Sequence, residues 1–240
     1  MALHVMEEAS RCLGCKKPRC REGCPIHTNI PEAIRLLKDG KLNEAGRMLF
    51  ENNPLTTVCS IVCNHEKQCE GHCIRGIKDV PVHFSVIENY ISTTYANQMV
   101  NGPAPSNGRK VALIGAGPSS LTIAVILARY GYNVTIFDTR DKIGGVMRYG
   151  IPDFRLPDAV LDDFAYRHLE LKGIKFRPPI PRSAARSAWM ICSGTAIRAS
   201  SSAPASGGRK PSTSRGKRWG MWPSPSTISP RRRPSVWASV

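Results

Sequence analysis

The last quarter of this sequence has no acidic residues. Residues 181–240 contain eleven Lys and Arg but no Asp or Glu, and they hold 14 Ser, 7 Pro and all four Trp. No helical or alternating apolar period runs through them, so we predict a disordered basic tail over residues 179–240. The formal net charge of +16 comes mainly from this tail, because residues 1–180 hold 23 basic against 18 acidic residues.

The sequence also lacks any apolar run near the length of about 20 residues that spans a bilayer. Its first residues, MALHVMEEASRC, lack the basic region and apolar stretch of a secretory signal. These absences predict a cytoplasmic protein with no membrane partner. The basic tail could bind nucleic acid through Arg231–Arg233 and RGKRW. However, four Trp among Ser and Pro are unusual for a solvated tail, so we do not expect a nucleic-acid partner.

Cysteine is nearly absent after residue 73. Eight of the nine cysteines form two groups, namely Cys12, Cys15, Cys20 and Cys24, then Cys59, Cys63, Cys69 and Cys73. In a reducing compartment such groups indicate metal binding rather than disulfides, and eight thiolates could complete two sites. A proline directly after the last Cys of a run is typical of ferredoxins. Two zinc sites and a disulfide framework are the alternatives; the irregular gaps favour iron–sulfur clusters over zinc knuckles.

Local patterns divide the rest of the chain into two domains. An N-cap at Asn29 predicts a helix that ends at Gly40, and further helices are predicted over residues 42–51 and 86–99. Residues 1–101 therefore form a predicted α-helical cluster-binding domain, and the Pro/Gly-rich residues 102–108 form a linker.

Residues 109–178 begin with a strand, a glycine turn, a helix and a second strand. Two apolar runs, 110–115 and 133–138, flank a helical segment over 119–130. This order is one βαβ unit, whose crossover makes the two strands parallel. The predicted fold is thus an α-helical iron–sulfur domain, then an incomplete α/β Rossmann-type domain, then an irregular tail.

The glycine turn has the composition of a dinucleotide site. GAGPSS fits G-x-G-x-x-G except at its last position, Ser120. Gly115 makes the tight turn, Gly117 lets the backbone approach a pyrophosphate, and Asp138 stands where an acid binds a ribose hydroxyl. The unit alone does not distinguish FAD from NAD(P), and a purely structural turn is the alternative.

Four motifs in this order resemble the glutamate synthase small subunit and its relatives in the N-terminal part of dihydropyrimidine dehydrogenase and in ferredoxin–NADP⁺ transhydrogenase. The motifs are CLGC to CP over 12–25, NPLTTVC to EGHC over 53–73, GAGPSSL over 115–121 and IGGVMRYGIPDFRLP over 143–157. The resemblance covers about residues 5–178. The chain departs from the family pattern at Thr57 and Asn64.

The resemblance implies two [4Fe–4S] clusters with interleaved ligands. One cluster would be bound by Cys12, Cys15, Cys20 and Cys73. The other would be bound by Cys24, Cys63, Cys69 and an oxygen of Glu88. Cys59 would bind neither.

The resemblance also implies FAD in the first Rossmann unit. Its pyrophosphate would lie on Gly115, Gly117, Pro118, Ser119 and Ser120, and its ribose on Asp138. Gly144, Gly145 and Val146 would pass under the cofactor, and Arg155 would reach its phosphates or its flavin ring. In the family reaction NADPH reduces the flavin, and electrons pass singly through the clusters to a large partner subunit. No acid–base catalytic residue is expected.

The family continues with an NADPH domain that this sequence does not show, because no second glycine-rich motif follows residue 150. We therefore expect a truncated chain, with a shifted reading frame after about residue 178. Trp189-Met190-Ile191 forces the codons TGG-ATG-AT, which give two aspartates in the neighbouring frame, where relatives carry Asp-Asp-Leu-Phe. The predicted function is an NADPH-dependent oxidoreductase component. The alternatives are a non-enzymatic electron-transfer or docking module and a zinc-containing nucleic-acid-binding protein.

Overall fold

The computed structural model describes residues 2–98, 104–170 and 172–178. The predicted tail over 179–240, its proposed origin in a shifted reading frame, and part of the predicted linker lie outside the described residues.

The N-terminal part of the chain is helical, as predicted. Its helices are α1 (Ala2–Ser10), α2 (Arg19–Glu22), α3 (Ile30–Lys38), α4 (Leu42–Asn52), α5 (Thr56–Val62) and α6 (Phe84–Gln98). Short 3₁₀ turns at His65–Lys67 and Ile74–Ile77 lie between α5 and α6. The predictions of α3, α4 and α6 are confirmed to within about two residues, and Asn29 is the N-cap residue of α3.

A helical core holds this part together. Ile34 and Leu37 of α3 pack with Leu49 of α4 and with Ile87 and Ile91 of α6, and all five side chains are buried. These residues recur at the three- and four-residue spacing of an amphipathic helix, which is why each helix buries one face. The loops that carry the cysteines are attached to this core.

The second part is an α/β unit. Its elements are β1 (Lys110–Ile114), α7 (Pro118–Arg129), β2 (Asn133–Phe137), α8 (Val146–Tyr149), α9 (Asp158–Phe164), a π-helical turn (Ala165–Glu170) and β3 (Lys175–Arg177). The strands are parallel in the order β1-β2-β3. The predicted βαβ unit is therefore confirmed, and the Rossmann-type topology extends to a third strand.

The α/β core includes side chains from the helical part. Phe50 of α4 and Val58 of α5, with Leu55 between these helices, are buried in the same cluster as Leu113 of β1 and Ile136 of β2. Helices α4 and α5 therefore cover part of the α/β unit, as in a layered fold. No helix within the described residues is both long and apolar enough to cross a membrane.

Candidate functional site

The fold regroups the cysteines, and the first cysteine group in space lines one cavity in the helical part. Cys12 and Cys15 lie in the loop after α1, Cys20 lies in α2, and Cys73 directly precedes the 3₁₀ turn Ile74–Ile77. Burial raises the pKa of Cys20 to about 11, and the neighbouring Cys12, Cys73 and Cys15 add to the rise. Because an isolated thiolate is disfavoured there, a positively charged metal group would be needed to hold these sulfurs deprotonated.

Cys24, Cys63 and Cys69 form a second group beside Glu88. Burial raises the pKa of the Cys69 thiol, and the negative charges of Glu70 and Glu88 and the neighbouring Cys24 and Cys63 raise it further. The pKa of Cys63 is raised by burial and then by Glu88. The predicted ligand set is thus gathered from four separate places in the chain.

Cys59 also belongs to this second group. Burial raises its pKa to about 11, with Glu88, Cys63 and Cys24 nearby. The Asn53 Nδ2 amide donates a hydrogen bond to the Cys59 sulfur at 3.1 Å. The group therefore offers five donor side chains for four places, and the choice of Glu88 over Cys59 stays a prediction from the family resemblance.

The arrangement of these thiols separates the metal alternatives. Each of the eight cysteines in the described residues is a free thiol. Over the same residues, no three His, Cys, Asp or Glu side chains are close enough to share one metal ion. A zinc ion draws four ligands to one point, whereas each thiolate of a [4Fe–4S] cluster binds a different iron atom. The four-thiolate set of the first group has the donors that a [4Fe–4S] cluster needs.

Glu88 is held by two buried side chains. The Thr56 hydroxyl donates to Glu88 Oε1 at 2.8 Å, and His65 Nε2 lies 3.4 Å from Glu88 Oε2. Desolvation lowers the pKa of His65, but the hydrogen bond and negative charge of Glu88 outweigh it, so the net pKa is raised. Local spacing in the sequence predicts neither Thr56 nor this role of His65, because the contacts join residues 32 and 23 positions apart.

The glycine turn has the shape that a bound phosphate needs. Gly115 has a φ of +95°, and a side chain at Gly115 or Gly117 would meet no atom within 4 Å. Gly117 is the N-cap of α7, and Pro118 and Ser119 begin its first turn. The space beside the two glycines is therefore open at the N-terminus of α7, where an anion is favoured.

Ser120 and Asp138 are the remaining residues of the glycine-turn motif. Ser120 is buried at the position where the motif has its third glycine. The Asp138 carboxylate accepts hydrogen bonds from the backbone N–H groups of Ala116 and Arg140. Asp138 thus fixes the turn itself and keeps the further acceptor capacity that binding of a ribose hydroxyl requires.

The loop before α8 lies directly on the glycine turn. The Gly144 N–H donates to the Ala116 carbonyl at 2.9 Å. Gly145 has a φ of +55°, and a Cβ there would lie 2.8 Å from the Gly117 Cα. Val146 follows with its side chain exposed. The structure therefore brings these three predicted residues to the nucleotide turn.

Two arginines of this region have different surroundings. Arg155 donates to the Val62 carbonyl at 3.3 Å, one residue before Cys63, so it lies beside the second cysteine group rather than on the glycine turn. Arg148, which sequence analysis missed, is buried and donates to the Ile143 carbonyl and to Asp162. It thereby holds the Gly144–Gly145 loop against α9.

Comparisons with known proteins agree with this geometry. Residues 2–100 match the family described as dihydropyrimidine dehydrogenase domain II, 4Fe-4S cluster. Residues 113–163 match the NAD(P)-binding Rossmann-like domain. The PreT homolog of Salmonella typhi, an NAD-dependent dihydropyrimidine dehydrogenase subunit, is 38% identical over 172 residues, which are 70% of this chain and 41% of the relative.

The glutamate synthase [NADPH] small chain of Escherichia coli K12 is also 38% identical, over 64% of this chain and 33% of its own length. The chain is similar to both of these oxidoreductase subunits. It spans about two fifths of PreT and a third of the small chain. The family resemblance predicted from the four motifs is thereby confirmed.

The four histidines near the cysteines differ in burial, which local sequence patterns do not predict. His27, His72 and His83 are exposed, whereas His65 is buried against Glu88. Position in the chain does not separate them, because burial depends on the packing of α5 against α6.

Proposed function

We propose that the chain is the electron-transferring part of an NADPH-dependent iron–sulfur flavoprotein. It would hold two [4Fe–4S] clusters and FAD and pass electrons to a large partner subunit. The observation that carries the proposal is the gathering of eight cysteines and Glu88 into two groups, in the same compact unit as an open nucleotide turn. When bound, FAD would accept a hydride, and the clusters would transfer electrons one at a time.

The chain's own residues would bind and position these groups. Cys12, Cys15, Cys20 and Cys73 would hold the first cluster, and Cys24, Cys63, Cys69 and Glu88 the second. The start of α7 would bind the pyrophosphate, and Asp138 would accept from the ribose. Arg155, in the segment between α8 and α9, donates to the backbone carbonyl one residue before Cys63, which supports a short path between flavin and second cluster.

The identity of the nucleotide decides between flavin and nicotinamide chemistry. We expect the full chain, purified anaerobically, to retain FAD through gel filtration. An Asp138→Asn variant should bind FAD about tenfold more weakly, because the ribose loses a charged acceptor. Asp141→Asn, which removes an exposed carboxylate that bonds Tyr149, is the matched control. Retention of NADPH instead of FAD would contradict the assignment.

A non-enzymatic cluster-bearing electron-transfer or docking module is the second candidate. It is favoured by the sequence, in which no second glycine-rich motif follows residue 150. Dye reduction driven by NADPH separates the two candidates, because a module without its own nicotinamide site is reduced by dithionite alone.

We further propose the domain limits 1–101, 109–178 and 179–240, with 179–240 translated out of frame. Sequencing of the coding DNA across codons 170–245 tests the last point. A neighbouring frame that continues into a second glycine-rich nucleotide motif supports it. A stop codon early in that frame rules it out.

A further inference from the structure

The two carboxylate oxygens of Glu88 are held unequally. The Thr56 hydroxyl, in the first turn of α5, donates to Oε1 at 2.8 Å, whereas the contact of Oε2 is with His65 Nε2 at 3.4 Å. Thr56, His65 and Glu88 are 4%, 8% and 7% exposed, so water does not compete for these positions. A hydrogen bond to a buried carboxylate is stronger than its equivalent in water.

This asymmetry matters because Glu88 adjoins the second cysteine group. Besides burial, the negative charge of Glu88 raises the pKa of the thiols of Cys59, Cys63 and Cys69. A hydrogen bond that fixes one oxygen leaves the other available to a metal and sets the direction in which it points. Oε2, which has only the longer contact with His65, keeps a lone pair that could bind a metal.

We propose that Thr56 is a positioning residue for the second cluster, a role that rests on the proposed function. It fixes Glu88 Oε1, presents Oε2 to an iron atom and draws negative charge from the carboxylate. Because reduction adds a negative charge to the cluster, a ligand with less negative charge favours the reduced state. Thr56 therefore raises the reduction potential of the second cluster and leaves the first cluster unaffected.

The test replaces only the hydroxyl. In the full chain with both clusters reconstituted, a redox titration followed by electron paramagnetic resonance reports each cluster separately. Thr56→Val, which keeps the side-chain shape, should shift the reduction equilibrium of the second cluster about tenfold toward the oxidised state, about 59 mV for one electron. Thr56→Ser should titrate as the wild type does.

Thr94→Val is the matched control. Thr94 lies on the same helix as Glu88, but its hydroxyl donates to the Tyr90 carbonyl. Its loss should leave both potentials unchanged. If Thr56→Val disturbs the fold, seen by circular dichroism, Thr56→Ala and Thr56→Ser form the pair that carries the same measurement.

The outcomes are distinguishable. A shift in Thr56→Val that Thr56→Ser restores supports the inference. Wild-type potentials and spectra for both clusters in Thr56→Val overturn the inference and leave the proposed function standing. A wild-type chain that takes up iron at the first group only overturns both.

Discussion

At the scale of single residues, a few positions determine the form of the Gly144–Gly145 loop and of the contact between the helical part and the α/β unit. Gly145 faces the backbone of Gly117, Arg148 holds the loop from behind, and His168 lies between the rings of Phe50 and Phe164. Each of these residues has surroundings that a substitution changes in a defined way.

Gly145→Ala should weaken FAD binding and destabilise the chain. The added Cβ would lie 2.8 Å from the Gly117 Cα, and the φ of +55° is itself unfavourable for alanine. The backbone strain alone corresponds to about 1–2 kcal/mol, and the clash moves the loop off the glycine turn. Thermal unfolding and FAD titration measure the two effects.

Gly108→Ala is the control for this substitution. Gly108 has a φ of +76° but no atom within 4 Å of an added Cβ. It should lose stability to a similar degree through backbone strain and keep its FAD affinity. Equal FAD affinities in the two variants would show that the Gly145 loop does not shape the nucleotide site.

His168 should make the chain sensitive to mild acid. Burial, followed by the charge of Lys172, lowers the pKa of His168 to about 4. The unfolded chain therefore binds a proton near pH 6.5 that the folded chain does not bind. The stability is fully present above pH 6.5 and falls as the pH drops toward 4, by about 2 kcal/mol at pH 5.

Urea unfolding at pH 7.5 and pH 5, followed by circular dichroism, measures this effect. His168→Phe should remove most of the loss of stability between the two pH values. His4→Phe, at an exposed position on α1, should leave that loss in place. The prediction fails if His168→Phe loses as much stability at pH 5 as the wild type.

At the scale of elements, α4 and α5 serve both parts of the chain. Cys59 of α5 and Thr56, the hydrogen-bond partner of Glu88, lie at the second cysteine group, while Phe50 of α4 and Val58 of α5 enter the α/β core. The Arg129 guanidinium of α7 adds an ion pair with Glu51 at 3.0 Å and lies over the Phe50 ring. The helical part therefore supplies one wall of the α/β unit.

Leu55→Ala should destabilise the α/β unit although Leu55 belongs to the helical part. Leu55 is 6% exposed within the α/β core, and truncation of a buried leucine costs about 2–5 kcal/mol. Ile77→Ala, at a residue 68% exposed, should change stability by less than about 0.5 kcal/mol. Hydrogen exchange should locate the Leu55 effect in β1 and β2; an effect confined to α3 and α6 would contradict this packing.

The sequence predicts elements well where a local period exists. Helices α3, α4 and α6 and strands β1 and β2 follow from apolar spacing and capping residues. Strand β3 has three residues, Lys175–Arg177, and no period, so only its pairing with β2 identifies it. The glycine turn is readable because its residues are consecutive, whereas the Thr56–Glu88 contact joins residues 32 positions apart.

At the scale of the whole molecule, hydrogen bonds from arginine side chains to backbone carbonyls join the helical part and the α/β unit. Arg155 donates to the Val62 carbonyl and Arg167 to the Ala96 carbonyl. Carbonyl acceptors at helix ends are unsatisfied within the helix, so arginine donors from another element fill them. The Arg155 contact holds the segment between α8 and α9 beside Val62, one residue before Cys63, as the proposed electron transfer between flavin and second cluster would require.

The most direct test of the account is the iron content of the reconstituted full chain and of two cysteine variants. We predict about eight iron and eight sulfide per wild-type chain and about four in Cys63→Ser. Cys59→Ser should keep about eight, because in the proposed ligand set Cys59, which accepts a hydrogen bond from Asn53, binds neither cluster. About two zinc and no sulfide per chain, or the loss of a cluster in Cys59→Ser with none lost in Cys63→Ser, would contradict the account.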